Sequence, residues 1–180
     1  MIRLLTIKHW HFFIAIICIP ILFQFVLVGL TIINSNPISV FAVFPIIILF
    51  VCSLFFSWLY ALGTNLYKKF PEKTVINLKQ FNFFLISSIV YIFILSVFII
   101  CIFSNDLKNI DINSITLIIP LHLFFVISTL SCLYIVAKNL KMVELQRSVT
   151  LSDFVGSFLL LCFWPIGIWI IQPRVNKLFR

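Results

Sequence analysis

Four long stretches of this chain carry no charge. Residues 12–67 contain no Asp, Glu, Lys or Arg, and neither do residues 81–105, 112–137 and 154–173. The charges collect in the short gaps between. A helix needs about 20 apolar residues to cross the hydrocarbon core of a bilayer. The runs therefore predict four transmembrane helices, over residues 11–33, 40–62, 83–103 and 115–137. Backbone polar groups in lipid must bond within their own segment, so these runs are helices. The two-residue alternation of barrel strands is absent. The link at residues 34–39 begins Asn-Ser-Asn-Pro and is short, so the first two spans form an antiparallel hairpin.

The last apolar run, residues 154–171, has 18 residues and contains Pro165 and Gly167. Proline removes an amide donor and clashes with the turn before it. Glycine lets the backbone bend there. The pattern predicts a re-entrant or broken helical hairpin over residues 153–179, turning at Pro165-Ile166-Gly167 and stopped at Pro173. Ser152 and Asp153 form its helix cap, with Asp153 suited to the positive end of the helix dipole. Before it, the fourth span continues as a cytoplasmic extension over residues 138–148. There Glu144 faces Lys141 and Arg147 as a solvated, paired surface. The expected architecture is an all-α integral membrane protein in a single domain.

Composition agrees with a lipid environment. Hydrophobic residues make up 63% of the 180 and charged residues 10%, against about 25% charged in soluble domains. The net charge of +8 does not point to nucleic acid, because the basic residues are dispersed over membrane-flanking gaps and form no clustered face. They anchor to anionic headgroups instead. The five cysteines each lie in an apolar run with no CxxC spacing, so neither a disulfide framework nor a metal site is expected. Richness in Phe, Ile and Asn is compatible with an AT-rich bacterial genome, and the bacterial inner membrane is the expected location.

Orientation follows from the basic residues. Arg3 and Lys8 precede the first span, and its apolar run is longer than a signal-peptide core, so it reads as a retained span. Lys68, Lys69, Lys73 and Lys79 fill the second link, and Lys138, Lys141 and Arg147 follow the fourth span. The third link holds only Lys108 beside Asp106 and Asp111. The N-terminus is expected to be cytoplasmic. A hairpin that returns keeps 12 of the 13 Lys and Arg residues on that side.

The spans hold no charged residue, which argues against a proton-coupled pump. No nucleophile elbow, zinc helix, P-loop or carboxylate pair occurs. An enzyme is not expected, and neither is a cofactor. His122 is expected to hydrogen-bond a neighbouring helix rather than ligate haem. His9 and His11 point apart on a helix, and Trp10 between them suits a membrane interface. Ser53 with Ser57 and Ser128 with Ser131 have the spacing of close helix packing. Gln24, Ser57, Ser88 and His122 are the candidate lining of a polar cavity between spans.

The segment from Phe163 to Asn176 is the least random part of the chain. It places an aromatic-Pro-x-Gly turn, a Trp and then Gln-Pro-Arg-x-Asn at the membrane edge. From Gln146 onward the chain resembles a group of uncharacterised small bacterial integral membrane proteins. In that group a Ser-Asp cap, an apolar half-helix, Phe-Pro-Ile-Gly and Gln-Pro-Arg-x-Asn recur together, with Phe where this chain has Trp164. The resemblance carries no function. Trp164, Pro165, Gly167, Trp169, Gln172, Arg174 and Asn176 are the candidate lipid- or partner-binding residues, Arg174 being suited to a phosphate or a partner carboxylate. The chain is thus expected to be an accessory or scaffold subunit binding a membrane protein, a second copy of itself or lipid. The alternative is a small permease or lipid-handling carrier.

Overall fold

A computed structural model describes residues 2–33, 44–69, 77–104 and 112–179. Nearly all of the described residues are helical, with no strand among them. A short helix α1 (Ile2–Thr6) leads into the first span. That span starts as α2 (His9–Phe13), widens into a π-helical turn (Ile14–Cys18) and continues as α3 (Ile19–Ile33). The π turn has a local cause. Pro20 has no amide to give and its ring crowds the carbonyl four residues back, at Ile16, so the helix opens just before it.

Three long helices follow: α4 (Phe44–Lys69), α5 (Leu78–Ser104) and α6 (Ile112–Leu145). With the first span they make four helices long and apolar enough to cross a membrane, as expected. The fold is that of an all-α, multi-pass membrane protein. The helices overrun the expected spans. α4 runs seven residues past Leu62, α5 starts five before Phe83, and α6 ends at Leu145, short of residue 148. The flanks hold no proline, and on α4 burial of Gly63, Asn65 and Leu66 carries the helix on past poor helix formers. The expected start of the second span at Val40 and the turn at residues 34–39 lie outside the described residues. So do Lys73, Asp106, Lys108, Asp111 and Arg180.

α6 ends on Gln146, whose φ of 51° is left-handed and whose side-chain amide donates to the Val143 carbonyl at 2.8 Å. That bond serves a terminal carbonyl the helix leaves open. The chain then forms α7 (Leu151–Cys162) and α8 (Trp164–Phe179), which pack on each other as a broken helical hairpin. The break is at Phe163, not at Pro165-Ile166-Gly167 as expected. Pro165 cannot donate to the Leu161 carbonyl, so α7 must end upstream of it. Pro165 then occupies the first turn of α8, where no amide is needed. Pro173 does not stop α8 either; the helix runs on to Phe179, held by buried Val175 and Asn176.

The cap also differs from expectation. Thr150 is the capping residue, and Asp153 reaches back to it. The Thr150 amide donates to Asp153 Oδ2 at 2.9 Å and its hydroxyl at 3.0 Å. Ser152 sits inside the first turn.

The core lies toward one end of the bundle. Trp58, Leu59, Leu62 and Leu66 of α4 and Val136, Ala137 and Leu140 of α6 are sealed there, with Leu161, Ile171 and Val175 of the hairpin and Leu5 of α1. The Phe81 ring lies directly over Gly63, where a side chain would have kept α5 away. By contrast α3 leaves Leu22, Phe25, Val26 and Ile32 exposed. In water that would be untenable, but in lipid exposed apolar surface carries no penalty.

Candidate functional site

The hairpin closes over the packed end of the bundle, and three side chains of α8 do the joining, Gln172 and Asn176 from one face and Arg174 from another. Gln172 is fully buried. Its carbonyl oxygen accepts from Trp58 Nε1–H of α4 at 2.8 Å. Its amide hydrogens are shared among the carbonyls of Leu5 (3.1 Å) and Ile7 (3.0 Å) and the Asn176 side-chain oxygen (3.1 Å). Asn176, one turn on, donates to the Ile7 carbonyl at 3.2 Å. Two amide side chains thus satisfy backbone that α1 leaves open where it ends short of α2.

Arg174 forms the second joint. Its Nε and Nη2 donate to the two oxygens of Glu144 at 2.7 and 2.6 Å, and Nη2 also donates to Ser157 Oγ at 3.1 Å. One guanidinium therefore links α6, α7 and α8 in the two-pronged geometry that makes arginine–carboxylate pairs strong. Both side chains are largely covered, at 26% and 17% exposure. Glu144 also holds Lys141 at 3.2 Å. Arg147 turns instead to Asp153 at 3.3 Å. Bonds from the Thr150 amide and hydroxyl, with Arg147 nearby, hold the Asp153 carboxyl below the usual carboxylate range. Lys69, at the end of α4, donates to the Leu178 carbonyl and lies over the Phe179 ring.

The seven candidate binding residues therefore divide. Gln172, Arg174 and Asn176 are spent on contacts within the chain, so they are not free to hold a headgroup or partner. The carboxylate expected for Arg174 is the chain's own Glu144. Gly167 is buried where α8 crosses α7, with no room for a side chain against the Leu160 carbonyl. Trp164 leans on Phe55 with ring centres 4.8 Å apart, and Pro165 is half-buried beside it. Of the seven, Trp169 stays open: it is 42% exposed and touches the His9 and Phe13 rings. Around it Phe163, Ile166 and Ile170 are exposed, and Leu151, Val155 and Leu159 continue the strip along α7. The hairpin thus buries one face on the bundle and offers the other as an apolar surface.

The four candidate cavity residues do not converge. Gln24 is exposed on α3, and Ser57 is exposed on α4 in a groove against α5 that includes none of the other three. Ser88 is buried between helices, 3.2 Å from Thr129 Oγ1. His122 is exposed on α6 and bonds the Tyr91 hydroxyl at 2.8 Å through Nδ1, the neighbouring-helix partner expected for it. Ser53 and Ser57 do not pack helices; both face outward, and Ser53 bonds the Phe50 carbonyl of its own helix. Ser128 is buried as its spacing suggested, while Ser131 is half-exposed. Among the described residues no three His, Cys, Asp or Glu side chains group to hold a metal.

Sequence reasoning missed the joints themselves. Their signal was present as Gln172 and Asn176, polar and one helical turn apart at the end of an apolar run, opposite a lone tryptophan indole in α4. No family model, curated protein or solved structure matches the chain. What the fold and these joints define is a four-span α-helical membrane protein closed at one end by a C-terminal helical hairpin.

Proposed function

We propose that the chain is a non-enzymatic accessory or scaffold subunit of the bacterial cytoplasmic membrane, with its N-terminus inside and its hairpin dipping in from the cytoplasmic face. The observation that carries the reading is the division of the hairpin into a locked inner face and an open apolar outer strip. The carrier alternative requires polar groups gathered around a shared space, whereas Gln24 and Ser57 are exposed elsewhere and Ser88 and His122 are each engaged across the α5–α6 seam, with Thr129 and Tyr91. The interior of the bundle is filled by Phe56, Trp58, Leu59, Leu62 and Phe81. The resemblance of the C-terminal segment to small bacterial membrane proteins supports the location.

The test is purification in mild detergent with quantitative mass spectrometry of what accompanies the chain. A stoichiometric membrane protein that is lost on Phe163→Ser, with the fold retained, is the expected result. A lone chain carrying a defined solute would overturn the scaffold reading in favour of the carrier.

A further inference from the structure

A groove of about 470 Å³ runs between α5 and α6, with α7 as its third wall. Gln80, Phe84, Ile127, Ser131, Tyr134 and Phe158 line it. The Tyr134 ring stands edge-on to Phe154 at 5.1 Å, so the hairpin fixes that wall. Along α6 the lining recurs at 127, 131 and 134, a single helical face. The next residue on that face is Lys138, one turn beyond Tyr134 and two beyond Ser131. From Ile127 to Lys138 the face rises about 17 Å, roughly half the hydrocarbon core. The groove therefore starts at a basic, hydrogen-bonding mouth and ends in apolar depth. At the mouth Gln80 is exposed and Lys138 half-exposed. Among the described residues no carboxylate pairs with Lys138, whereas its neighbour Lys141 is held by Glu144.

The groove between α4 and α5 has a similar size, about 460 Å³, but neither its walls, Leu49–Tyr60 on α4 and Leu85–Phe93 on α5, nor Thr64, one turn beyond Tyr60 on the same face, brings a basic residue to it. Charge complementarity thus distinguishes the first groove. We propose that it is a binding site for one anionic glycerophospholipid, with an acyl chain along Phe84 and Ile127 and the phosphate at Lys138, Gln80 and the Tyr134 hydroxyl. A zwitterionic lipid has the same chain but brings its own cation to the mouth, so the Lys138 ammonium favours the anionic headgroup. The site goes beyond the scaffold reading and does not depend on it, because the test below uses purified chain and lipid alone and is untouched by the presence or absence of a protein partner.

Full-length protein in mild detergent is exposed to equal amounts of dioleoylphosphatidylglycerol and dioleoylphosphatidylcholine, and native mass spectrometry reads the lipid retained. One phosphatidylglycerol per chain is expected, at about tenfold preference. Lys138→Gln should bring the ratio near one. Ile127→Trp, which fills the groove from an exposed position, should lower retention of both lipids. Lys68→Gln, at an exposed lysine outside the groove, should change neither. If Lys138→Gln lowers the melting temperature, Lys138→Met, which keeps the aliphatic stem, takes its place. Retained preference in the Lys138 variant, equal loss in the Lys68 variant, or unchanged retention in the Ile127 variant would each overturn the site.

Discussion

Gly167 and Gly156 sit eleven residues apart in one hairpin and answer to opposite constraints. A methyl group on Gly167 would overlap the Leu160 backbone carbonyl, while one on Gly156 meets nothing within 4 Å. Gly167→Ala should therefore destabilise at the upper end of the ~1–3 kcal/mol typical of overpacked sites, because the obstacle is backbone and cannot rotate away. Gly156→Ala should be neutral or stabilise by up to about 1 kcal/mol, the helix-propensity gain. Thermal melting in detergent, followed by circular dichroism, compares the two, and equal melting temperatures would refute the close crossing. Gln172 is the second residue whose loss should be felt widely. Gln172→Leu keeps the volume but leaves the buried Trp58 indole without its acceptor and the Leu5 carbonyl without the side-chain amide that donates to it, while the Ile7 carbonyl keeps its bond from Asn176. At about 1–3 kcal/mol for each buried group left unmade, a loss of at least 2 kcal/mol is expected. Trp fluorescence during denaturant unfolding measures it. At this scale the sequence was half-legible. It singled out Gly167, Gln172, Arg174 and Asn176 because polar or flexible residues are costly in an apolar run. It pointed them outward because the partners that satisfy them, Trp58, Glu144 and the carbonyls of Leu4, Leu5 and Ile7, lie about 30 to 170 positions away, beyond any local pattern.

The helices themselves were far more legible, since each span needs only its own apolar run. The four spans, the fourth span's extension past Ala137 and the hairpin all read from the spacing of charge. What local pattern could not supply was the site of each break. Pro165 announces a break, but the bond it cannot make belongs to Leu161, so the helix fails ahead of the proline, at Phe163. Pro173 announces another that does not occur, because burial of Ile171, Gln172, Val175 and Asn176 on one face holds α8 together across it. The element-scale prediction concerns depth. α7 has 12 residues and so rises about 18 Å, too short to cross a hydrocarbon core of about 30 Å. A hairpin that dips in should place Leu151 near the headgroups and Phe163 near the midplane. Spin labels at cysteines replacing Leu151, Leu159 and Phe163 should show oxygen accessibility rising, and that of a polar nickel reagent falling, in that order. A flat profile would mean that the hairpin lies outside the hydrocarbon.

For the whole molecule, two independent arguments bear on sidedness, and they fix different things. The basic residues argue for the absolute orientation proposed above, with Lys68, Lys69, Lys138 and Lys141 inside. Contacts set the relative one, whatever the orientation. The end of α4 touches the end of α8 through Lys69 and Leu178. The end of α6 meets α8 through Glu144 and Arg174 and meets the start of α7 through the Arg147–Asp153 pair. The carbonyls of Leu4, Leu5 and Ile7 meet α8 through Gln172 and Asn176. Five chain segments thus share one end of the bundle, which α8 could not join if the hairpin crossed the membrane. Epitope tags placed before residue 1 and after residue 180 should therefore lie on the same side. Protease added to spheroplasts should spare both tags, and protease added to inverted vesicles should remove both. Cleavage of both tags in spheroplasts would reverse the orientation but keep the hairpin, because the charge argument would fail while the contacts stood. Cleavage of the C-terminal tag alone would mean that the last segment spans. In that case the Gln172 and Arg174 joints could not exist in the membrane, and the groove beside Tyr134 would lose its third wall.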